Sequence, residues 1–149
     1  MAKEKDIVKK IKDLIASQPF FVLCTSGKAG PYGSLIAYSH SHDFKTFYFA
    51  TSKKTKKYRI LRQNPKVAAV LDNRDSGKSF KGLDALTLSG TAEEIYRDSY
   101  LDPGITSLKR RHKYLSVFLD DEDTVIFCIK DIRIYYVLDI NTVFEWVPL

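Results

Sequence analysis

The sequence predicts a mainly β domain with attached helices, in the form of an antiparallel barrel or sandwich. About six or seven predicted strands follow one another across short turns instead of alternating with helices, which is the order of an antiparallel sheet. Apolar residues make up 44% of the chain and aromatic residues 13%, and these fractions exclude a disordered chain. The length of 149 residues suits one domain, so we predict that residues 1–149 form a single domain.

The first half of the chain begins with a predicted amphipathic helix over residues 3–17, since apolar residues recur there at helical spacing and lysines fill the other face. Gln18 ends this helix because the residue before a proline avoids the helical conformation. A glycine-rich turn at 26–33 and a tight turn at 43–45 follow. β-branched and aromatic residues before, between and after these turns predict strands at 20–25, 34–41 and 46–51.

The chain contains two further predicted helices after residue 53. The first covers residues 54–63, with Thr55 as a candidate cap and Asn64-Pro65 as its stop. The second covers residues 105–119, and an acidic turn follows it. A loop is predicted at 73–83, and β-branched, apolar runs predict strands at 67–71, 85–96, 125–130, 132–140 and 143–147.

Basic residues outnumber acidic residues by 24 to 18 and are concentrated in two segments. Residues 53–66 carry seven lysines and arginines and no acid, and residues 109–113 carry four more together with His112. Such clusters indicate an anionic partner, which could be a phosphate ligand, nucleic acid or a membrane surface. No apolar run approaches the roughly 20 residues of a membrane span, and no signal peptide is evident, so we expect a cytoplasmic protein without a membrane partner.

The histidines and cysteines are the remaining candidates for metal binding or covalent chemistry. His40 and His42 would share one face of a strand and could ligate a metal ion, but ordinary polar roles explain them more simply, and we predict no metal site. Cys24 and Cys128 lie in apolar runs, as buried free thiols do. No nucleophile has a recognisable base beside it, so the catalytic residues are unassigned.

The most informative segment is FYFATSKKTKKYRILRQNPKVAAV, residues 47–70. A predicted strand ends at Thr51, and Thr55, Lys56 and Lys57 lie at the start of the short helix that follows. A helix N-terminus offers unpaired N–H groups and the positive end of a dipole to an anion, and lysine adds charge. The pattern therefore suits a terminal phosphate, although a solvated basic helix would also explain it.

This segment resembles the pyridoxamine 5′-phosphate oxidase-like family, the FMN-binding split β-barrels. The family has a hairpin, a strand ending in hydroxyl residues, a Ser/Thr-Arg/Lys-Lys triplet, a short helix, Asn-Pro and a strand, and this order is matched from Pro31 to Leu71. Residues 88–94 also resemble the family's Gly-x-Ala-Glu strand. The resemblance implies a six-stranded antiparallel split β-barrel of Greek-key type.

The resemblance also implies where the cofactor FMN would bind. The triplet 55–57 would bind its phosphate, Thr51 would lie near its ribityl chain and ring, and the backbone of residues 34–36 would meet the ring. The implied cofactor-binding residues are Ser34, Leu35, Ile36, Thr51, Thr55, Lys56, Lys57 and Trp146. A homodimer with flavin in the interface clefts is implied as well, with a small-molecule substrate or a nicotinamide donor.

Two departures from the family pattern argue against the vitamin B6 oxidase reaction. The last residues, 144–149, lack the family's Arg-x-His segment, and Ala85 stands where the family often has a glutamine. We therefore expect an FMN-binding flavoprotein that is an oxidoreductase of unassigned substrate. The alternatives are a flavin or haem sensor without turnover, with His40, His42 or His112 as haem ligands, and a basic nucleic-acid-binding domain. FAD and a deazaflavin are alternative cofactors.

Overall fold

The computed structural model of the chain describes residues 2–74, 77, 79, 82–96 and 103–149. The helices are α1 (Ala2–Ser17), α2 (Lys56–Gln63), α3 (Pro103–Arg111) and α4 (Ser116–Asp120), with a 3-10 turn at Lys113–Leu115. The strands are β1 (Phe20–Gly27), β2 (Gly30–Ala37), β3 (Ser39–His40), β4 (Phe47–Ser52), β5 (Lys66–Asp72), β6 (Ala85–Ile95), β7 (Thr124–Asp139) and β8 (Thr142–Trp146).

The strands form one antiparallel sheet, which confirms the predicted mainly β fold class. Its order is β2-β1-β5-β6-β7-β4-β3, and β8 pairs with β7 beside this path. Strands β2 and β4 contact each other, but no ladder of hydrogen bonds joins them in the part of the chain that the structure describes. The sheet is therefore curled into a barrel that is open between β2 and β4, and we call this opening the seam.

The barrel interior is apolar and is covered by α1. Alternate residues of the strands face inward, as Phe21 and Leu23 do on β1. The predicted apolar stripe of α1 packs on them through Ile7, Ile11, Leu14 and Ile15. A smaller cluster lies between the sheet and α3 and α4, and it consists of Tyr48, Leu108, Leu119, Ile126 and Cys128. Strand β7 is thus covered on both faces along residues 124–129, which explains its unbroken apolar run.

One continuous strand, β7, replaces the two strands predicted at 125–130 and 132–140. Asp131 interrupts the sequence pattern, and its φ of 57° with a register shift between Ser89 and Thr91 marks a bulge rather than a turn. Gly90 is required opposite this bulge, because a Cβ there would lie 2.6 Å from both the Lys130 carbonyl oxygen and Ile129 Cγ2. The chain therefore bends without leaving the sheet.

Three other predicted elements also differ from the structure. The strand predicted at 34–41 is two strands, because β2 covers Gly30–Ala37 and β3 covers Ser39–His40. The turn predicted at 26–33 is shorter, since β1 runs to Gly27 and β2 starts at Gly30. The helix predicted at 105–119 is broken at His112, whose φ of −129° and ψ of 75° are not helical. The loop predicted at 73–83 lies partly outside the described residues. No described helix is long and apolar enough to cross a membrane.

Arg111 joins the end of α1 to the rest of the molecule. Its guanidinium donates hydrogen bonds to the carbonyl oxygens of Ile15 and Ala16, both at 3.0 Å, and to those of Gln18 and Tyr38. It also lies over the Tyr38 ring, 4.6 Å from its centroid. The last carbonyls of a helix have no partner within the helix, so Arg111 acts as a cap supplied from a distant segment.

We predict that Arg111→Ala lowers the free energy of unfolding by about 2–3 kcal/mol, because several carbonyl groups lose a charged donor. Urea denaturation measures this change. Arg110→Ala is the matched control, since Arg110 is exposed and its loss should cost less than about 0.5 kcal/mol. Equal effects of the two substitutions would contradict the capping role.

Candidate functional site

The start of α2 lies beside the end of β4 and is built around the Thr55 hydroxyl. Thr55 is the N-cap of α2, and its Oγ1 accepts a hydrogen bond from the Tyr58 N–H at 3.2 Å. The same oxygen donates to the Ser52 carbonyl at 2.9 Å. This confirms Thr55 as the cap that the sequence predicted, and it fixes the direction of α2 relative to β4.

Thr51 extends this hydroxyl network into the protein. Its Oγ1 lies 2.9 Å from Thr55 Oγ1. Since Thr55 already donates its single hydrogen to Ser52, Thr51 must be the donor in this contact. The Thr55 hydroxyl is thereby saturated, with one bond donated and two accepted. The N–H groups of Lys56 and Lys57, which have no partner within the helix, remain available to an anion.

The two lysines of the predicted triplet lie on different faces of α2. Successive helical residues are about 100° apart around the axis. Lys56 is exposed, and its Nζ lies 5.0 Å from the centroid of the Tyr32 ring on β2. Lys57 is half-buried, and this burial lowers the pKa of its ammonium group. A half-buried ammonium without an ion pair among the described residues is suited to receive a negative charge.

A cleft of about 260 Å³ separates the β1–β2 turn from α2, and we call it the hairpin cleft. The residues at positions 56, 59, 60 and 63 of α2 form one wall, as helical spacing requires. Lys28 and Tyr32 lie on the opposite wall. The Lys28 N–H donates to Gln63 Oε1 at 3.2 Å and joins the two walls. The described lining contains three cationic side chains and no carboxylate.

The three predicted flavin-contacting residues of β2 alternate between two environments. The Ile36 side chain is part of the core, whereas Leu35 is 70% exposed on the opposite face of the strand. The Ser34 hydroxyl oxygen is buried without a hydrogen-bond partner among the described residues. Tyr32 shares the inward face with Ser34 by strand alternation, and sequence reasoning missed it because β2 was predicted to start only at residue 34.

Trp146 and Thr51 are both held by β7, at positions on either side of its bend. Trp146 pairs with Ile134, whereas Thr51 pairs with Val125, and the bulge at Asp131 lies between them. Lys12 lies over the Trp146 ring at 5.7 Å, on the side of α1. A role for Trp146 at a flavin stays a prediction.

The second basic segment, residues 109–113, is mostly engaged within the fold. Lys109 forms an ion pair with Asp120 at 2.6 Å, and Arg111 caps α1. His112 is 3% exposed, and its Nε2 donates to the Tyr38 carbonyl at 2.7 Å. The first basic segment, residues 53–66, differs because only Lys54 and Arg62 have acidic partners among the described residues. Its other basic residues have no ion pair there, and they are Lys53, Lys56, Lys57, Arg59 and Lys66. The free positive charge is thus concentrated around α2.

The remaining histidines and cysteines form no cluster. His40 Nδ1 donates to the Ser41 carbonyl at 2.8 Å, and burial lowers the pKa of its imidazole. His42 is exposed. Cys128 is buried, as predicted, whereas Cys24 is only half-buried, and neither forms a disulfide within the described residues. No group of three histidine, cysteine or acidic side chains that could hold a metal ion occurs within the described ranges.

The open barrel and the cationic start of α2 at its seam are the features of a split β-barrel with a candidate site for an anion. The family model for pyridoxamine 5′-phosphate oxidase matches residues 7–137, and the chain belongs to this family. No curated protein matches the chain.

Solved structures agree with this assignment at the level of the fold. The haem storage protein HutZ from Vibrio cholerae is 20% identical, with a TM-score of 0.71 and coverage of 82% of this chain and 87% of that chain. A pyridoxine phosphate oxidase family protein from Clostridium acetobutylicum is 18% identical, with a TM-score of 0.68 and coverage of 95% and 94%. A haem-binding protein from Mycobacterium smegmatis is 17% identical, with a TM-score of 0.77 and coverage of 91% and 55%, so this chain spans about half its length.

Proposed function

We propose that the protein binds FMN at the seam and is an oxidoreductase that acts on a small molecule. The observation that carries this proposal is the start of α2, which lies at the seam of a barrel of the pyridoxamine 5′-phosphate oxidase family. There the capped helix presents the N–H groups of Lys56 and Lys57 beside the half-buried Lys57 ammonium group. A dianionic phosphate would form the ion pair that the Lys57 ammonium group does not have among the described residues.

The residues present fit an FMN molecule in three respects. Lys56 and Lys57 would hold the phosphate with their N–H groups and ammonium charges, while Thr55 keeps α2 in place as its cap. Thr51 would act mainly by orienting Thr55, since its hydrogen is donated there. The unpartnered Ser34 hydroxyl would be satisfied by a polar edge of the ligand. Bound flavin would supply the transfer of hydride or single electrons.

We also propose that two copies of the chain pair through the outer face of β1, β2 and β5. Apart from Lys66 and Asp72 at the two ends of β5, residues of these strands that do not face the core are uncharged. The apolar ones are Phe20, Val22, Cys24, Pro31, Gly33, Leu35, Ala37, Ala68 and Val70. Monomeric proteins rarely expose such a contiguous apolar face. A second copy of the chain would cover this face and remove its apolar side chains from water.

Haem is the second candidate ligand, and one observation on His40 favours it. A carbonyl only accepts hydrogen bonds, so the contact with Ser41 requires the proton on Nδ1 and leaves the Nε2 lone pair free. His112 is less suitable, because its Nε2 donates to Tyr38 and its ring is buried. Two relatives of known structure are described as haem proteins. A haem titration followed at the Soret band tests this, with His40→Ala as the variant.

We predict that Lys56→Ala/Lys57→Ala weakens FMN binding about 100-fold, because two cationic contacts to the phosphate are worth roughly 3 kcal/mol. Quenching of flavin fluorescence measures the dissociation constant. Riboflavin has the same ring without a phosphate, so its affinity should be unchanged.

The matched control for this experiment is Lys53→Ala/Lys66→Ala, which removes the same charge from exposed, unpaired lysines of the same segment. If both double variants weaken FMN binding equally, the effect is one of net charge and the phosphate site is wrong. If the unaltered protein binds no flavin, FMN binding itself is excluded. NADH and NADPH oxidation by the flavin-loaded protein then tests for turnover.

We predict that, as the pH is raised, FMN affinity begins to fall at a pH below the ordinary lysine pKa of 10.5. Only protonated Lys57 attracts a phosphate, and burial lowers its pKa, so the dissociation constant should begin to rise as pH passes this lowered pKa. Lys57→Arg keeps its charge and should remove the early rise. The ratio of FMN to riboflavin affinity between about pH 7 and pH 10 isolates the effect. A pH profile identical in the variant would exclude Lys57 from the phosphate site.

We predict that Leu35→Asp makes the protein monomeric, because it places a charge in the centre of the apolar face. Sedimentation equilibrium of the flavin-free protein measures the mass. Val117→Asp is the control, since Val117 is 86% exposed on α4, away from this face. A dimer that survives Leu35→Asp, or one that only Val117→Asp disrupts, would show that the interface lies elsewhere.

A further inference from the structure

We propose that the hairpin cleft binds a second phosphoryl group, next to the one held at the start of α2. The inference rests on the proposed function, since it assigns the neighbouring site to the FMN phosphate. It adds Lys28 and Arg59, which the sequence analysis did not place in any site. The ligand class it implies is a nucleotide with two phosphates in reach of α2, or two nucleotides bound side by side.

The charge of the cleft supports an anion. Lys28, Lys56 and Arg59 line it, and the described lining has no acidic residue to neutralise them. Among the described residues, the Arg59 guanidinium has one hydrogen bond, to the Lys54 carbonyl at 3.5 Å, and its other N–H donors face none of them. A guanidinium fork matches the geometry of phosphate oxygens, and lysines add point charges.

The cleft is also fixed in shape. The β1–β2 turn lies so close to α2 that a Cβ at Gly27 would be 2.7 Å from Gln63 Oε1 and 3.4 Å from Ile60 Cγ2. The bond from the Lys28 N–H to Gln63 joins the two walls. The Tyr32 ring holds Lys56 within a cation–π contact. Three exposed cations thus line one cleft without a carboxylate among its described residues, and an anion bound there would be attracted by all three.

The two sites are contiguous because Lys56 belongs to both. Its N–H opens α2 beside Lys57, while its side chain lines the hairpin cleft. Lys57 is not part of the cleft lining. A diphosphate could therefore span the two sites, with its proximal phosphate at the start of α2 and its distal phosphate between Lys28 and Arg59. A single monophosphate uses only the first site.

The experiment compares the unaltered protein with Lys28→Ala/Arg59→Ala, and uses Lys53→Ala/Lys66→Ala as a control of equal charge. Dissociation constants are measured for FMN and FAD, and for NADH and NADPH with the FMN-loaded protein. We expect a preference of at least tenfold for FAD over FMN, or for NADPH over NADH. We expect Lys28→Ala/Arg59→Ala alone to abolish it, with FMN affinity changed less than about threefold.

The outcomes separate the sources of the phosphate. A lost FAD preference means that both phosphates belong to one cofactor, and a lost NADPH preference means that the second belongs to a separate donor. No preference in the unaltered protein, or one that survives the variant, overturns the proposal while the FMN site stands.

A second measurement does not depend on flavin binding. Inorganic pyrophosphate added to the flavin-free protein should shift the amide NMR signals of Lys28 and Gln63, and Lys28→Ala/Arg59→Ala should abolish the shift at Gln63. If flavin fails to bind but these shifts occur, the FMN proposal is wrong and the second anion site stands. Absence of the shifts in the unaltered protein counts against the cleft.

Discussion

Strand β7 is the element on which the arrangement of all the others depends. It pairs with β4 and β6 along its first part and with β6 and β8 along its second part, and the bulge at Asp131 lets it bend between the two. Without that bend, a strand of this length would continue straight past the barrel instead of closing it. Because β4 is paired to the first part of β7, its last residues Thr51 and Ser52 end at the seam, where α2 begins. The position of the anion site therefore follows from the pairing of a strand that contributes no residue to it.

Most of the fold could be predicted from the sequence because local signals and tertiary packing agree. The stripe of α1, the stop at Asn64-Pro65 and the strands β1, β4, β5, β6 and β8 are found close to their predicted bounds. The runs predicted at 34–41, 125–130 and 132–140 are divided differently in the structure. The errors occur where a distant contact decides the local conformation. His112 breaks the second internal helix because its ring reaches Tyr38, and Arg111 is a cap for α1 rather than part of a charged surface. No spacing in the sequence indicates a contact across more than seventy residues.

The site could be predicted only in part, for a related reason. The triplet at 55–57 was identified because a hydroxyl and two lysines at a helix start form a local pattern. The two lysines of this triplet lie on different faces of α2. Their environments depend on what packs against each face, which is the β1–β2 hairpin on one side and the barrel on the other. Lys28 and Arg59 come together through the same packing and share no motif. Basic residues around α2 therefore lie in two different environments. Lys57 is half-buried and suited to one negative charge, whereas the hairpin cleft is open and lined by three cations.

The cap of α1 also has a consequence for the order in which the chain can fold as it is synthesised. Helix α1 is synthesised before the strands, yet the Ala16 carbonyl receives a hydrogen bond from Arg111, and the Ile15 carbonyl receives hydrogen bonds from both Arg111 and the Tyr38 hydroxyl. The β7 residues that close the barrel beneath it follow later still. An isolated helix of this length is marginal in water, so α1 depends on contacts made by later parts of the chain. Its last hydrogen-bond donor, Arg111, becomes available only after β1 to β6 have been made.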